Sequence, residues 1–194
     1  MASATPKQLH WFEKTVEYAF VMNHARHLTW ATPLDGNHER AADAIFTIED
    51  SKWLLIEFKR AAGDFSSEER KFASHALAKE ALSGDGECLH FFVYGTLPSG
   101  GRQLELTATP YWKQSPMLSV SELLDTKGTR DREFFWEYLH RLVEQKESAQ
   151  GSQGGPDYSL IAAVTNEGHI RAISSLSEIF APTPVNEPTF ALRF

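Results

Sequence analysis

The stretch WLLIEFKR places an acid and a base two residues apart in an otherwise apolar run. Because successive side chains of a strand point to opposite faces, Glu57 and Lys59 share one face. Asp43 joins them if its segment pairs with theirs as a hairpin, so that two carboxylates and one ammonium converge. An unpartnered charge is costly to bury. The apolar context therefore favours a charged site that has a function over a salt bridge on a solvated face.

The segments that carry these residues have the composition of paired strands. Residues 41–48 and 52–59 are separated by the short sequence EDS, which predicts a β-hairpin. Before them, a segment without Gly or Pro and with apolar residues at helical spacing predicts a helix over 8–28. A short strand is expected to end near Pro33.

A second helix is predicted after the hairpin. Ser66, with Glu69 three residues on, is typical of a capping box, and the helix should run to about Leu82 before the sequence SGDG ends it. The later predicted elements are strands over 88–95 and 102–112, a helix over 131–147, a linker over 148–156, a hairpin around 166–168 and a short helix over 175–180.

The order of elements predicts the fold class. Helix, strand, strand, strand, helix and strand follow one another over residues 8–95, which indicates an α/β protein with a mixed central sheet flanked by helices. A chain of 194 residues fits a single domain, 1–194. Residues 96–194 are expected to extend the core with further strands and helices, or to form a surface for a partner.

The hairpin motif resembles that of the PD-(D/E)XK nuclease superfamily. Here it stands as ADAIF with Asp43, then thirteen intervening residues, then IEFKR with Glu57 and Lys59. The proline of the family name is absent, because Ala42 precedes Asp43. The resemblance covers residues 8–95 and implies a restriction-endonuclease-like core of order αβββαβ.

The resemblance also implies a role for each residue of the motif. Asp43 and Glu57 would ligate Mg²⁺ or Mn²⁺ together with the backbone carbonyl of Phe58, because such hard cations prefer oxygen ligands. Lys59 would position or polarise the attacking water and stabilise the negative charge that develops on the phosphate. The implied enzyme is a metal-dependent nuclease.

A glutamate from outside the hairpin often completes the site in this family, and the sequence offers three. Glu13 and Glu17 stand one turn apart on the first predicted helix, and we favour Glu13. Glu39 lies one turn before Asp43 if that loop is helical, although an ion pair with Arg40 is the favoured use. The choice among the three stays open.

Charge and composition bear on partners and compartment. A net charge of −7 argues against a protein that coats nucleic acid through bulk positive charge, but not against a local metal site. The resemblance implies DNA as substrate. Because the acidic chain gives little long-range attraction to phosphates, we expect a protein partner or a homo-oligomer to aid targeting. With one cysteine, Cys88, and no apolar segment near the length of a membrane span, we expect a cytoplasmic protein without a membrane partner.

Two other function classes compete with the nuclease. The first is a module of the same fold that binds a protein or nucleic acid with weak or no catalysis. The second is a structural or small-molecule-binding α/β domain in which the three residues form an ion-paired network. Arg60, Arg70, Lys71 and Lys79 lie on or near the second predicted helix and could contact phosphates. Because Asp64, Glu68, Glu69 and Glu80 are interleaved with them, an ordinary solvated helix face is the favoured interpretation.

Overall fold

A computed structural model of the protein describes residues 11–33, 42–48, 52–98, 103–147, 160–164 and 170–175. Within these residues, five helices are α1 Glu13–His24, α2 Ser66–Glu69, α3 His75–Gly86, α4 Val120–Thr126 and α5 Arg132–Glu147. Eight strands are β1 Leu28–Pro33, β2 Ala44–Ile48, β3 Lys52–Lys59, β4 His90–Thr96, β5 Glu105–Pro110, β6 Leu118–Ser119, β7 Leu160–Val164 and β8 Ile170–Ser175. Short 3₁₀ turns cover Ala25–His27 and Ala62–Asp64.

The strands form one mixed sheet in the order β6-β5-β4-β3-β2-β1-β7-β8. Only β3 and β4 run parallel among these neighbours, and the crossover between them contains α2 and α3, as a parallel pair requires. The strands from residues 96–194 extend both edges of the sheet, β5 and β6 beside β4, and β7 and β8 beside β1. The predicted α/β fold with a mixed sheet flanked by helices is confirmed.

The two faces of the sheet follow strand alternation. Ile45 pairs with Leu55, and both pack under α3 and α5 on what we call the α3/α5 face. Their neighbours Phe46, Ile56 and Phe58 point the other way and pack with α1 and α4 on the α1/α4 face. The predicted hairpin and its alternation are confirmed, and β3 lies in the middle of the sheet.

The helix predicted from Ser66 to Leu82 is wrong in its continuity and in its cap. It is broken into α2 and α3, and α2 has Phe65 at its N-cap position with no side-chain hydrogen bond, so the predicted capping box does not form. Ser74 caps α3 instead, because its hydroxyl accepts a hydrogen bond from the Leu77 N–H at 3.4 Å. Packing overrides the local signal, because Phe65 and Glu68 before the break and Phe72 within it are all buried.

The end of α3 also differs from the prediction. The helix passes through the sequence SGDG and ends at Gly86. A Cβ at Gly86 would lie 2.6 Å from the hydroxyl oxygen of Tyr138 and 2.8 Å from the ring of Trp112. This glycine therefore serves close packing of α3 against α5 and does not stop the helix.

The remaining predicted elements agree in part with the structure. The first helix is shorter than predicted, and β1 ends at Pro33 as expected. β7 and β8 pair antiparallel, which confirms the C-terminal hairpin, whereas β6 and α4 were not predicted. The linker at 148–156, the turn at 166–168 and all but the first residue of the helix predicted at 175–180 lie outside the described residues, and Ser175 ends β8. No described helix has the length and apolar character needed to cross a membrane.

Candidate active site

Glu57 and Lys59 lie at the C-terminal end of β3, side by side on the α3/α5 face. The Glu57 side chain is fully buried and that of Lys59 is 5% exposed. Lys59 Nζ donates a hydrogen bond to Glu57 Oε1 at 2.6 Å. The two predicted residues therefore form a buried ion pair in the interior of the sheet and not on a solvated face.

Asp43 joins this pair from the start of β2. Its N–H donates to the Ile56 carbonyl at 3.1 Å, which holds the residue against β3 just before β2 begins. Its carboxylate Oδ2 accepts a hydrogen bond from the Phe58 N–H. Because the N–H and C=O of one strand residue point to the same edge, the Phe58 carbonyl is directed to the side of Asp43. The Asp43 carboxylate thus contacts the backbone of Phe58, the residue between Glu57 and Lys59.

Glu13 approaches from the first turn of α1. Its carboxylate Oε2 lies 3.8 Å from Lys59 Nζ, and its side chain is 48% exposed. The helix start is fixed by Trp11, whose indole N–H donates to the Arg60 carbonyl at 2.8 Å. The indole packs against Gly95, where a Cβ would come within 2.5 Å of its nitrogen. The start of α1 is thereby held beside the end of β3.

Glu17, the other candidate on α1, does not join the site. Glu17 forms an ion pair with Lys14 at 2.6 Å on the surface of α1. Glu39 lies outside the described residues. Of the two candidates that the structure describes, Glu13 is the one that lies near Lys59.

Glu68 and Lys71 belong to the site, and their interpretation as part of a solvated helix face is wrong. The Glu68 side chain is 2% exposed, and its Oε1 lies 2.8 Å from Lys59 Nζ and 2.6 Å from Lys71 Nζ. Lys71 Nζ also donates to Glu57 Oε1 at 3.2 Å. A sequence signal exists, because Phe65, Glu68 and Phe72 recur at spacing i, i+3, i+7 and so define one inward stripe.

A further lysine enters from the C-terminal part of the chain. Lys146 on α5 is 1% exposed, and its Nζ donates to Glu68 Oε2 at 3.2 Å. The Tyr111 hydroxyl donates to the same oxygen at 3.3 Å. Lys146 follows the buried Leu139 and Leu142 at helical spacing. The apolar pattern of α5 therefore indicates that Lys146 points inward.

The charges set distinct pKa values for the acids. Burial raises the pKa of Asp43 to about 6, although the Phe58 N–H and Lys59 act against it. Burial and the charges of Asp43 and Glu68 raise the pKa of Glu57. Burial opposes the ionised form of Glu68 too, but Lys146 and a hydrogen bond with Glu57 hold its pKa below the usual range. Glu68 is therefore the ionised acid of the site, and the other two carry protons more readily.

The buried carboxylates have further capacity to accept a proton or a cation. Glu57 Oε2 has no hydrogen-bond partner among the described residues when both glutamates are ionised. A proton shared with Glu68, or a cation, would satisfy it. Within the described part of the chain, no group of three or more His, Cys, Asp or Glu side chains stands in an arrangement that would hold a metal ion by itself.

Comparisons of the chain with protein-family models, with curated proteins and with solved structures found no match. The function is therefore argued from the geometry and chemistry of the site.

Proposed function

We propose that the protein is a divalent-metal-dependent nuclease of PD-(D/E)XK type that hydrolyses phosphodiester bonds in DNA. One observation carries the proposal: Asp43, Glu57 and Lys59 converge at the buried end of β3. A buried acid–base group of this kind is costly to keep, so its presence on a central strand calls for a role beyond packing.

The order of elements supports the same function. The chain runs α1, β1, β2, β3, then α2 and α3, then β4, which is the αβββαβ order that the resemblance implies, with a divided second helix. Asp43 lies directly before β2, and Glu57 and Lys59 lie in β3. These are the hairpin positions that the resemblance implies. Both the order of elements and the position of the motif are compatible with the proposal.

The residues present fit Mg²⁺ or Mn²⁺. Asp43, Glu57 and the Phe58 carbonyl offer oxygen ligands on one edge of β3, and Mg²⁺ commonly takes one or two carboxylates and keeps several waters. A group of three acidic side chains is therefore not needed. The mutual repulsion that helps to raise the pKa of Glu57 beside Asp43 would be relieved by a cation between them.

The side chains divide the work of hydrolysis. A bound divalent cation supplies positive charge for the phosphate oxygens and favours hydroxide over water. The pKa of Lys59 is raised because Glu57 and Glu68 outweigh its burial, so this lysine remains an ammonium and acts as a hydrogen-bond donor, not as a base. It would stabilise the negative charge that develops on the phosphate. Glu13, on the exposed side of Lys59, would orient water.

A module of this fold without efficient catalysis, which binds a protein or nucleic acid, is the second candidate function. It is favoured by the contacts of Glu57 Oε1, which accepts hydrogen bonds from Lys59 and Lys71 and is neutralised without a metal. In that case the cluster would be an ion-paired network that stabilises the fold. Activity and metal binding separate the two functions.

The activity test uses supercoiled plasmid DNA, single-stranded DNA and RNA with Mg²⁺, with Mn²⁺ and with EDTA. We expect metal-dependent cleavage by the wild type and a loss of at least about 100-fold in Glu57→Gln and in Lys59→Met. Glu17→Gln is the matched control, because this acid pairs with Lys14 on the surface. Cleavage that survives both site substitutions would come from a contaminant or another site and would contradict the proposal.

Metal binding is tested separately by Mn²⁺ titration with electron paramagnetic resonance. The nuclease predicts binding that weakens about 10- to 100-fold or more in Asp43→Asn, whereas the ion-paired module predicts no site-specific binding in either protein. Absence of Mn²⁺ binding by the folded wild type favours the second function.

Targeting to DNA is proposed to need a protein partner or a second copy of the chain. The net charge of −7 gives little long-range attraction to phosphates. Tight binding of DNA by the isolated monomer at physiological salt would contradict this part of the proposal.

A further inference from the structure

Two lysines of the site share the same carboxylate oxygens but differ in exposure. Lys59 and Lys71 both contact Glu57 Oε1 and Glu68 Oε1, at distances of 2.6 to 3.2 Å. The Lys59 side chain is 5% exposed, whereas that of Lys71 is 33% exposed. Lys71 therefore connects the buried acids with the solvent, from which any substrate must arrive.

The hydrogen-bonding capacity of the two ammonium groups also differs. An ammonium has three N–H donors. Lys59 has three carboxylates around it, Glu57, Glu68 and Glu13. Lys71 has two described carboxylate contacts, so one donor remains for a group that comes from the exposed side.

Glu68 fixes the position of Lys71. Its Oε1 holds Lys71 Nζ at 2.6 Å, and its Oε2 accepts from Lys146 and from the Tyr111 hydroxyl. Both of these donors come from outside residues 8–95, from α5 and from the segment after β5. The C-terminal part of the chain thus braces the acid that orients the exposed lysine.

We propose that Lys71 is a second lysine of the site, which contacts a phosphate of the nucleic acid substrate, and that Glu68 positions it. The inference rests on the proposed nuclease function and adds a substrate contact outside the Asp43, Glu57 and Lys59 motif. A phosphate oxygen accepts the exposed N–H of Lys71, while Lys59 stays deeper, beside the reacting group. No covalent step is assigned to Lys71.

The test measures binding of a fluorescein-labelled DNA duplex with Ca²⁺ in place of Mg²⁺, by anisotropy over a salt series that begins at low salt. Lys71→Met should weaken binding about 10-fold and reduce the slope of log Kd against log salt by about one, the effect of one lost phosphate contact. Lys71→Arg keeps the charge and should retain most of the affinity and most of the salt slope. Lys79→Met, an equal change of charge on the exposed side of α3, is the matched control and should change neither.

The Mg²⁺ reaction gives a second measurement. Lys71→Met should raise KM more than it lowers kcat, whereas Lys59→Met should lower kcat. If Lys71→Met does not fold by circular dichroism, Lys71→Gln replaces it, since it also removes the charge. An unchanged salt slope and KM in the folded variant would overturn the assignment of Lys71.

The outcomes distinguish this inference from the nuclease proposal. A wild type that cleaves DNA, with Lys71→Met unaltered in salt slope and KM, refutes the role of Lys71 and leaves the nuclease. A wild type that binds the duplex through Lys71 but does not cleave it refutes the nuclease and supports Lys71 as a nucleic acid contact.

Discussion

The two faces of β3 are built by alternate residues of one strand and yet are stabilised in different ways. On the α1/α4 face, Phe58 packs against Phe20 and Phe46, with ring centroids 5.4 and 6.3 Å apart. On the α3/α5 face, Glu57 and Lys59 depend on charges from other elements. The α1/α4 face is stabilised by apolar packing, and the α3/α5 face by ion pairs.

The α1/α4 face serves stability, whereas the α3/α5 face carries the candidate site. An apolar face tolerates small changes of shape, because each contact is weak and many contacts share the load. A buried charge cluster tolerates few changes, because removal of one member leaves another charge without its partner. We therefore expect substitutions on the two faces to differ in size, in pH dependence and in their effect on cleavage.

The largest effect is expected from Glu68, which has three lysines around it. Glu68→Gln should lower the free energy of unfolding by about 3–5 kcal/mol, because the buried Lys146 then loses the carboxylate charge to which it donates a hydrogen bond. Urea denaturation at neutral pH measures the change.

A double-mutant cycle tests the origin of that loss. Glu68→Gln combined with Lys146→Met should be more stable than Glu68→Gln alone, because the second substitution replaces a buried charge by an apolar side chain of similar shape. Additive losses would show that the two residues are not coupled and would contradict the contacts described for this face.

A smaller effect is expected from Asp43, and it depends on pH. The pKa of Asp43 is raised from its ordinary value to about 6, so the folded protein binds this proton more tightly than the unfolded chain does. The free energy of unfolding should therefore fall as the pH rises from about 4 to about 6, by about 3 kcal/mol from this group alone. Asp43→Asn should remove that component.

Denaturation in EDTA at a series of pH values compares the wild type with Asp43→Asn. EDTA is needed because a bound cation would favour the ionised carboxylate and reverse the trend. Equal pH slopes of the two proteins between about pH 4 and about pH 6 would show that folding does not raise the pKa of Asp43.

The smallest effect is expected on the opposite face. Phe58→Leu should cost about 1–2 kcal/mol of unfolding free energy, because it removes part of a well-packed ring. The loss should not vary with pH, and the cleavage rate should stay unchanged, since the backbone N–H of Phe58 still holds Asp43. A large loss of cleavage in a folded Phe58→Leu protein would mean that the two faces are not functionally separate.

Local patterns predicted much of the fold, and their failures have a common cause. The hairpin, its alternation and the α/β order follow from periodicity and turn sequences, which act over a few residues. The helix from Ser66 was predicted as continuous with a capping box, but burial of Glu68 and Phe72 overrides that signal. The acids of α2 and the bases that follow it look like a solvated face until their packing partners are known.

The sequence by itself determined that Glu57 and Lys59 share a face and that Asp43 stands beside them, because alternation and hairpin pairing are local. Only the tertiary structure decided which charges complete the group. Lys146 lies 78 residues from Glu68 along the chain, and the fold brings the two into contact. The physical reason is that a buried charge selects its partner by proximity in space, which local periodicity does not encode.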